Sequence, residues 1–217
     1  MQLKLKIILI GILITNPIIQ TLNCQSNIPT IKIGKQLWMA ENLNVETFKN
    51  GDIIPEAKTN EEWEKAYKQG KPAWCFYNND PKNEQKLGKL YNWFAVNDAR
   101  DIAPFGFHTP SKAEWDSLVA HLGGQPVAGK KLKSTNGWPN NGNDTNESGF
   151  NGLPGGFRWY NGYFCDELKF GHWWTSTPLP PMYAWQYYLL FSDDAIGFYS
   201  LDIGKGTGLS VRCIADK

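Results

Sequence analysis

The chain has little of what most catalytic centres are built from. Its 217 residues include three histidines and four cysteines, and neither the HExxH nor the CxxC spacing of a zinc site occurs. The GxSxG turn that presents a hydrolase nucleophile is missing as well. A formal net charge of +1 gives the whole chain no electrostatic reason to bind nucleic acid. We therefore predict no required cofactor and no nucleic-acid partner, and we favour a protein that is not an enzyme.

Aromatic and turn-forming residues are what the chain has in quantity. It contains ten tryptophans, 21 glycines and 13 prolines. Large aromatic side chains bury enough apolar surface to hold short elements together, so we expect a folded chain with many turns. The part that follows the N-terminal leader, about 190 residues, is long enough for one domain with one core.

The first residues indicate export. Lys4 and Lys6 precede an apolar run over residues 7–14, which is too short to span a bilayer and is typical of the core of a signal peptide. We predict a signal peptide over residues 1–23 and a short linker over residues 24–32. A buried N-terminal strand or helix is the alternative interpretation.

A cysteine follows the predicted leader directly. Cys24 stands where lipoprotein signals place the residue that becomes diacylated, although Asn23 is larger than the residue usually found before the cut. Acyl chains there would hold the protein on a membrane, because each buried methylene contributes about 0.8 kcal/mol. We predict a lipoprotein of the cell envelope or outer membrane. Cleavage without acylation would give a soluble secreted protein.

One segment has a well-marked helix start. Ser111 and Glu114 have the spacing of a capping box, and apolar residues then recur at helical intervals. This pattern predicts an amphipathic helix with Trp115 on its buried face.

Two further helices are predicted with less regular patterns. Thr59 and Glu62 have the same capping spacing ahead of a helix over residues 60–69. Residues 89–98 have helical spacing too, although their aromatic side chains fit a strand equally well.

Beyond residue 124 the pattern changes to turns and short strands. Asn-Gly pairs begin at Asn136, Asn141, Asn151 and Asn161, and this pair favours the type I′ turn, in which both central residues have positive φ. Aromatic and β-branched runs lie between the turns and predict antiparallel strands. The predicted strands are 157–160, 173–177, 184–191, 196–201 and 209–214.

Seven blocks in a fixed order give the chain a resemblance to a known family. They are IGKQLWMAENLN (33–44), AWCFYNND (73–80), GKLYNWFAV (88–96), GFHTPSKAEW (106–115), GFNGLPGGFR (149–158), WWTST (173–177) and LSVRCI (209–214). In this order they resemble the Fibrobacter succinogenes major paralogous (FISUMP) domain, a family of secreted bacterial domains. The resemblance implies one domain over residues 33–217.

The resemblance also implies a fold. A capped helix pair followed by a turn-rich half resembles the C-type lectin-like fold, of the α+β class, with two to three short helices packed on short antiparallel sheets with long loops. HTPSKAEW is similar to the RLPTEAEWE signature of formylglycine-generating enzymes, which share that fold. The paired cysteines that do the chemistry in those enzymes are not matched in this chain, so their activity is not implied.

The resemblance bears on the cysteines as well. The family usually has Cys-Pro where this chain has Ala103 and Pro104. Lectin-like folds commonly tie the first helical region to the last strand by a disulfide bond. With a cysteine absent at position 103, the resemblance implies a bond between Cys75 and Cys213 as a substitute.

A loop over residues 140–149 concentrates oxygen donors. Asn143, Asp144 and Glu147 are the candidate ligands of a calcium ion, the one cofactor that the sequence suggests, because calcium takes six to eight oxygen ligands and lectin-like loops often hold it. The alternative is a solvated turn in which the side chains cap their own backbone.

Aromatic residues crowd the same half of the chain. Trp138, Trp159, Tyr160 and Tyr163 are the candidate ligand-binding residues, because exposed aromatic rings stack on sugars or anchor protein partners. The alternative places them in the core, where we expect most of the tryptophans.

Three functions follow from different classes of protein. We favour an exported, surface-anchored binding module that recognises a glycan or a surface protein through loop aromatics. A structural subunit of an envelope or adhesive appendage is the second. A glycosidase-like enzyme with dispersed carboxylates, such as those of residues 166, 167, 193 and 194, is the third.

Overall fold

The computed structural model describes residues 28–165, 169–199 and 204–217. The predicted signal peptide and Cys24 lie outside these residues. Strand β1 (Thr30–Ile33) starts inside the predicted linker, so the folded domain begins earlier than Ile33. No helix in the described ranges is long and apolar enough to cross a membrane.

The helices of the described residues are short. They are α1 (Asn60–Lys68), α2 (Glu84–Leu87), α3 (Trp93–Val96), α4 (Lys112–His121) and α5 (Gln125–Leu132), with 3₁₀ turns at Tyr77–Asn79 and Pro81–Asn83. Both predicted capping boxes are confirmed. At α1 and at α4, the hydroxyl of Thr59 or Ser111 accepts a backbone N–H, and the glutamate three residues later accepts the N–H of the cap residue.

The strands form three antiparallel sheets. Besides β1 they are β2 (Gln36–Met39), β3 (Trp74–Cys75), β4 (Leu90–Asn92), β5 (Phe107–His108), β6 (Phe157–Arg158), β7 (Phe164–Cys165), β8 (Phe170–Leu179), β9 (Tyr183–Leu190), β10 (Ile196–Tyr199), β11 (Gly208–Leu209) and β12 (Ile214–Ala215). Their orders are β1-β2-β12-β5, β10-β9-β8 and β3-β4-β11-β6-β7. The predicted α+β class with short antiparallel sheets is confirmed.

The first sheet joins the two ends of the domain. Ile214 of β12 pairs with Trp38 of β2 on one side and with His108 of β5 on the other. The predicted strand 209–214 is therefore two strands in two sheets, β11 and β12, with residues 210–213 crossing between them.

Trp115 lies at the centre of the core, as predicted from the face of α4. Its ring stacks on Tyr187 at a centroid distance of 4.9 Å and meets Trp38 edge-on at the same distance. Phe150 and Trp173 close the cluster at 5.7 and 6.4 Å. Helix α4, the first sheet and the three-stranded sheet thus share one aromatic contact point.

The predicted helix over residues 89–98 is wrong in its first half. Leu90–Asn92 is strand β4, which pairs with β3, and only Trp93–Val96 is helical. The cause is the side chain of Asn92, whose Oδ1 accepts the backbone N–H groups of Ala95 and Ala73 and so starts the helix late.

Helix α5 was not predicted, because the glycines at 123 and 124 mark the end of α4. Gly124 also serves as the N-cap of α5, with a φ of +91°, and proline occupies the first turn of the new helix. One glycine pair therefore ends one helix and starts the next.

The type I′ prediction for the Asn-Gly pairs is wrong. In each pair a single residue has positive φ, namely Gly137, Asn141, Asn151 or Gly162. A type I′ turn needs two. Strand twist selects type I′ in two-residue turns between paired strands, and none of these pairs forms such a turn. Asn161-Gly162 lies in the five-residue turn between β6 and β7, and the other three lie between α5 and β6.

The disulfide prediction is also wrong. Cys75 and Cys213 are free thiols, buried in two different hydrophobic clusters. Burial raises the pKa of Cys75 to about 11 and raises that of Cys213 further, so both thiols stay protonated at neutral pH.

We expect Trp115→Ala to lower the free energy of unfolding by about 3–5 kcal/mol, because it removes the ring on which four aromatic neighbours pack. Denaturant unfolding measures the loss. Val127→Ala, at a more exposed position on the adjacent helix, is the control and should cost less than about 1 kcal/mol. Equal losses in the two variants would contradict the assignment of Trp115 to the core.

Candidate functional site

Trp138 does not belong to a ligand surface. The residue is 5% exposed, and its indole Nε1–H donates to the carbonyl oxygen of Gly152 at 3.0 Å and to Ser134 Oγ at 3.1 Å. Its ring is part of the core cluster around Trp115. The prediction of Trp138 as a binding residue is therefore corrected. Its polar atom is satisfied inside the protein and its faces are covered.

The other three candidate aromatics lie on one hairpin, between β6 and β7. Trp159 is half-buried and packs edge-on against Phe157 at 4.8 Å. Tyr160 and Tyr163 are 46% and 63% exposed. The structure thus separates one supporting ring from two accessible ones.

The hairpin turn has a defined shape. The N–H of Trp159 donates to the carbonyl of Tyr163, and the N–H of Gly162 donates to that of Trp159. Gly162 has a φ of +92°, and a Cβ at this position would collide with Asn60 at the start of α1. Only glycine lets the turn lie this close to the helix.

Arg158 holds the turn in place from below. The side chain is fully buried, and its guanidinium donates to the carbonyl oxygens of Gly162 (2.9 Å), Ala57 (2.7 Å) and Thr59 (2.9 Å). The last two residues precede α1, so one side chain fixes the hairpin to the start of that helix. Its planar group presents several donors in a fixed geometry, which a lysine cannot reproduce.

Tyr67 of α1 adds a third ring beside the hairpin. Its centroid lies 5.2 Å from that of Tyr160, and the ring rests on the backbone of Gly206, where a Cβ would overlap it. We call Tyr67, Tyr160 and Tyr163 the tyrosine platform. The sequence pattern placed Tyr67 on the same helix face as Trp63, but nothing in it indicated the contact with Tyr160.

The oxygen donors of the loop over residues 140–149 have protein partners. Asn143 Oδ1 accepts the backbone N–H of Trp138 at 2.8 Å. Asp144 pairs with the buried ammonium of Lys133 at 3.0 Å, and Glu147 with Lys131 at 3.3 Å. Each of these two carboxylates thus already has a lysine as its counter-charge. Calcium binding stays a prediction, and these ion pairs are its competitors.

Of the four carboxylates named for a glycosidase-like site, two belong to the described residues, and each of these has its own partner. Residues 166 and 167 lie outside the described residues. Asp193 Oδ1 accepts the N–H of Ala195, and the carboxylate of Asp194 lies 3.8 Å from Lys130 Nζ. Within the described ranges, no group of three or more His, Cys, Asp or Glu side chains could hold a metal ion.

His108 is the one histidine between two carboxylates in the described chain. Its Nδ1 lies 2.7 Å from Asp216 and its Nε2 lies 2.9 Å from Glu114. Burial alone would lower the pKa of His108, but these two hydrogen bonds outweigh it and raise the pKa. Because both ring nitrogens are occupied and Glu114 also caps α4, we interpret the cluster as a link between the chain end and that helix.

Two clefts open elsewhere on the surface. One of about 680 Å³ is mainly apolar and includes Ile28, Leu37 and the side chain of Phe105, which is 79% exposed. The other, of about 500 Å³, is polar and has Arg212 in its lining. Neither contains a residue of the tyrosine platform.

Comparison with known proteins gives a family but little more. No solved structure matches the chain. Catalase-peroxidase 1 of Shewanella amazonensis (strain ATCC BAA-1098 / SB2B) is 34% identical over 119 residues, a match that covers 51% of this chain and 16% of that protein. The model of the Fibrobacter succinogenes major domain matches residues 31–215. The chain therefore belongs to the Fibrobacter succinogenes major domain family.

Proposed function

We propose that the protein is an exported, surface-anchored binding module that recognises glycans through the tyrosine platform. The observation that carries this proposal is the combination of exposure and rigidity. Tyr160 and Tyr163 present their rings to solvent, while the turn between them is fixed by Arg158 and by the close approach of Gly162 to α1. Rings that are already in place lose little conformational entropy when a ligand binds.

The size and chemistry of the platform favour a sugar over a folded protein partner. Three tyrosines offer apolar faces for the C–H groups of a sugar ring and hydroxyls for its polar edge. Specific protein interfaces bury about 800 Å² on each partner, which three rings alone do not supply. Asn161, whose side chain accepts the N–H of Tyr163, adds an amide beside the rings.

A second proposal concerns the fold. We propose that the α+β arrangement is C-type lectin-like, supported by the two capping-box helices α1 and α4 and by the antiparallel hairpins that follow them. In such an arrangement the scaffold holds loops in place, and the loops bind. The tyrosine platform lies partly on one such loop, the turn between β6 and β7.

Anchoring at Cys24 would bring an apolar cleft of the domain close to the membrane. Ile28 lies in the apolar cleft together with Leu37 and Phe105. Four residues of extended chain reach at most about 14 Å, so an acylated Cys24 would keep this cleft close to the bilayer. The exposed ring of Phe105 would then face an apolar phase instead of water.

A glycan array probed with the intact chain tests the binding proposal. We expect at least one class of glycan to bind, and we expect Tyr160→Ala to weaken that binding about tenfold or more, as for the loss of a central aromatic contact. Phe105→Ala is the control, because it removes a still more exposed ring outside the platform, and its affinity should be unchanged. Normal affinity in a folded Tyr160→Ala, Tyr163→Ala double variant would refute the platform as the site. Binding to proteins but to no glycan would refute the ligand class.

Metabolic labelling with a palmitate analogue tests the anchor. We expect label on the wild-type chain, recovery of the protein in the membrane fraction, and loss of both in Cys24→Ala, because the thiol carries the acyl chains. Cys75→Ala is the control and should stay labelled. Retention of label and membrane association by Cys24→Ala would contradict lipidation at this residue.

A further inference from the structure

The polar cleft is built from segments that are far apart in the chain. Its walls come from the loop after β2, from α2 with Gly88, and from Asn151 and Leu153, and Arg212 lies between β11 and β12. The volume of about 500 Å³ suits a small ligand, such as one sugar ring or a short peptide end.

Arg212 is buried in this cleft without a carboxylate partner. It is 2% exposed, and no ion pair within the described ranges includes it. Nη1 donates to the carbonyl oxygens of Phe150 (2.7 Å) and Ala40 (3.0 Å), and Nε and Nη2 donate to Asn42 Oδ1 at 3.0 and 2.7 Å. All of these acceptors are neutral.

More hydrogen-bond donors converge on Asn42 than its oxygen has lone pairs. Asn42 Oδ1 has two lone pairs, yet Trp173 Nε1 donates to it at 2.9 Å in addition to the two nitrogens of Arg212. A guanidinium has five N–H groups, and the second N–H of Nη2 has no acceptor in the part of the chain that the structure describes. A neutral amide oxygen thus stands where buried arginines usually have a carboxylate.

The charge on Arg212 persists at neutral pH although burial disfavours it. Burial lowers the pKa of the guanidinium to about 9, and the more distant carboxylate of Glu41 opposes the shift in part. The cationic form therefore dominates at pH 7. An anion that entered the cleft would supply the missing counter-charge.

Arg158 shows what a buried arginine looks like when its role is structural. Within the described ranges it also has no carboxylate partner, but its three closest acceptors are backbone carbonyls, two before α1 and one in the β6–β7 turn. Neither of the two clefts described above has Arg158 in its lining. Arg212 differs in two respects. It lines a cleft, and it shares the acceptor Asn42 Oδ1 with Trp173.

The rim selects the kind of anion. The carboxylate of Glu84 is held by Asn44 and by Lys89, at 3.1 and 3.4 Å, and Glu41 adds a second negative charge at the edge. Lys86 on the same rim offsets one of these charges. Both glutamates repel any anion, and they repel a dianion about twice as strongly as a monoanion. A planar carboxylate in addition matches the fork of the guanidinium.

We propose that this cleft binds a carboxylate group of a small ligand, with Arg212 as the cation that contacts it and Asn42 as the residue that positions the guanidinium. The site is separate from the tyrosine platform and does not depend on the proposed glycan binding there. The carboxylate can come from a uronic-acid sugar or from the C-terminus of a peptide, which share this chemistry.

The test is a titration of the intact chain followed by NMR, with glucuronate and N-acetylglycine as probes. Glucose and N-acetylglycinamide are the matched neutral compounds, and inorganic sulfate is the dianionic one. We expect saturable shifts of the Arg212 Nε–H and Trp173 Nε1–H signals with a carboxylate probe at millimolar concentrations, and none with its neutral counterpart. Binding of only one carboxylate probe supports the site and identifies its source.

Asn42→Asp is the sharpest variant, because it places a carboxylate on Arg212 within the same shape and keeps the acceptor for Trp173. We expect it to weaken binding at least tenfold. Gln85→Glu, which adds the same charge on the exposed rim, should weaken it less than threefold. The signals of the wild-type chain decide the matter if Asn42→Asp does not fold.

Three results would overturn the proposal. They are no shift with either carboxylate up to about 50 mM, well above the expected millimolar Kd, equal shifts with inorganic sulfate, and unchanged affinity in a folded Asn42→Asp variant. A Tyr160→Ala chain should bind the carboxylate normally, so that failure of this site and failure of the tyrosine platform are distinguished.

Discussion

The position of the tyrosine platform depends on one buried guanidinium. Arg158 ties the turn of the β6–β7 hairpin to the segment before α1, and this brings Tyr160 against Tyr67. The rings of Trp63 and Phe164 lie 4.8 and 4.7 Å from the guanidinium and cover it. A charge this deeply buried is costly unless all its donors are satisfied, so the arrangement tolerates little movement of the turn.

The two buried arginines differ in role. Arg158 supports the scaffold, and Arg212 lines the cleft proposed as a site. Arg158 is enclosed, and its hydrogen bonds fix the position of the tyrosine platform. Arg212 faces a cleft, and within the described chain one of its N–H groups has no acceptor and its guanidinium has no direct carboxylate partner. Both functions proposed for this protein therefore rest on fixed polar groups beneath a surface, and neither needs the backbone to rearrange.

The sequence predicted what is local and missed what is distant. The capping boxes at Thr59 and Ser111 and the buried face of α4 follow from spacing within a few residues, and the structure has them where the pattern puts them. Trp138 shows the limit. A tryptophan near turn residues is predicted to lie on a loop surface. Only its hydrogen bonds with Ser134 and Gly152 show that this one is buried in the core.

The missed residues have the same explanation. Tyr67 joins Tyr160 across 93 positions of chain, and Arg212 meets Asn42 across 170. No periodicity of helix or strand encodes such pairs. The residue with positive φ is the asparagine in two of the Asn-Gly pairs and the glycine in the other two, which the dipeptide alone does not predict.

The proposed ligand surface is the one that Arg158 keeps in place. A crystal structure of the domain with the glycan that it binds most tightly tests this proposal. We expect a sugar ring on Tyr160 or Tyr163, with the hairpin turn unmoved and the hydrogen bond from Arg158 to Gly162 intact. A sugar bound elsewhere, or a turn that has moved away from α1 to receive it, would refute this binding mode.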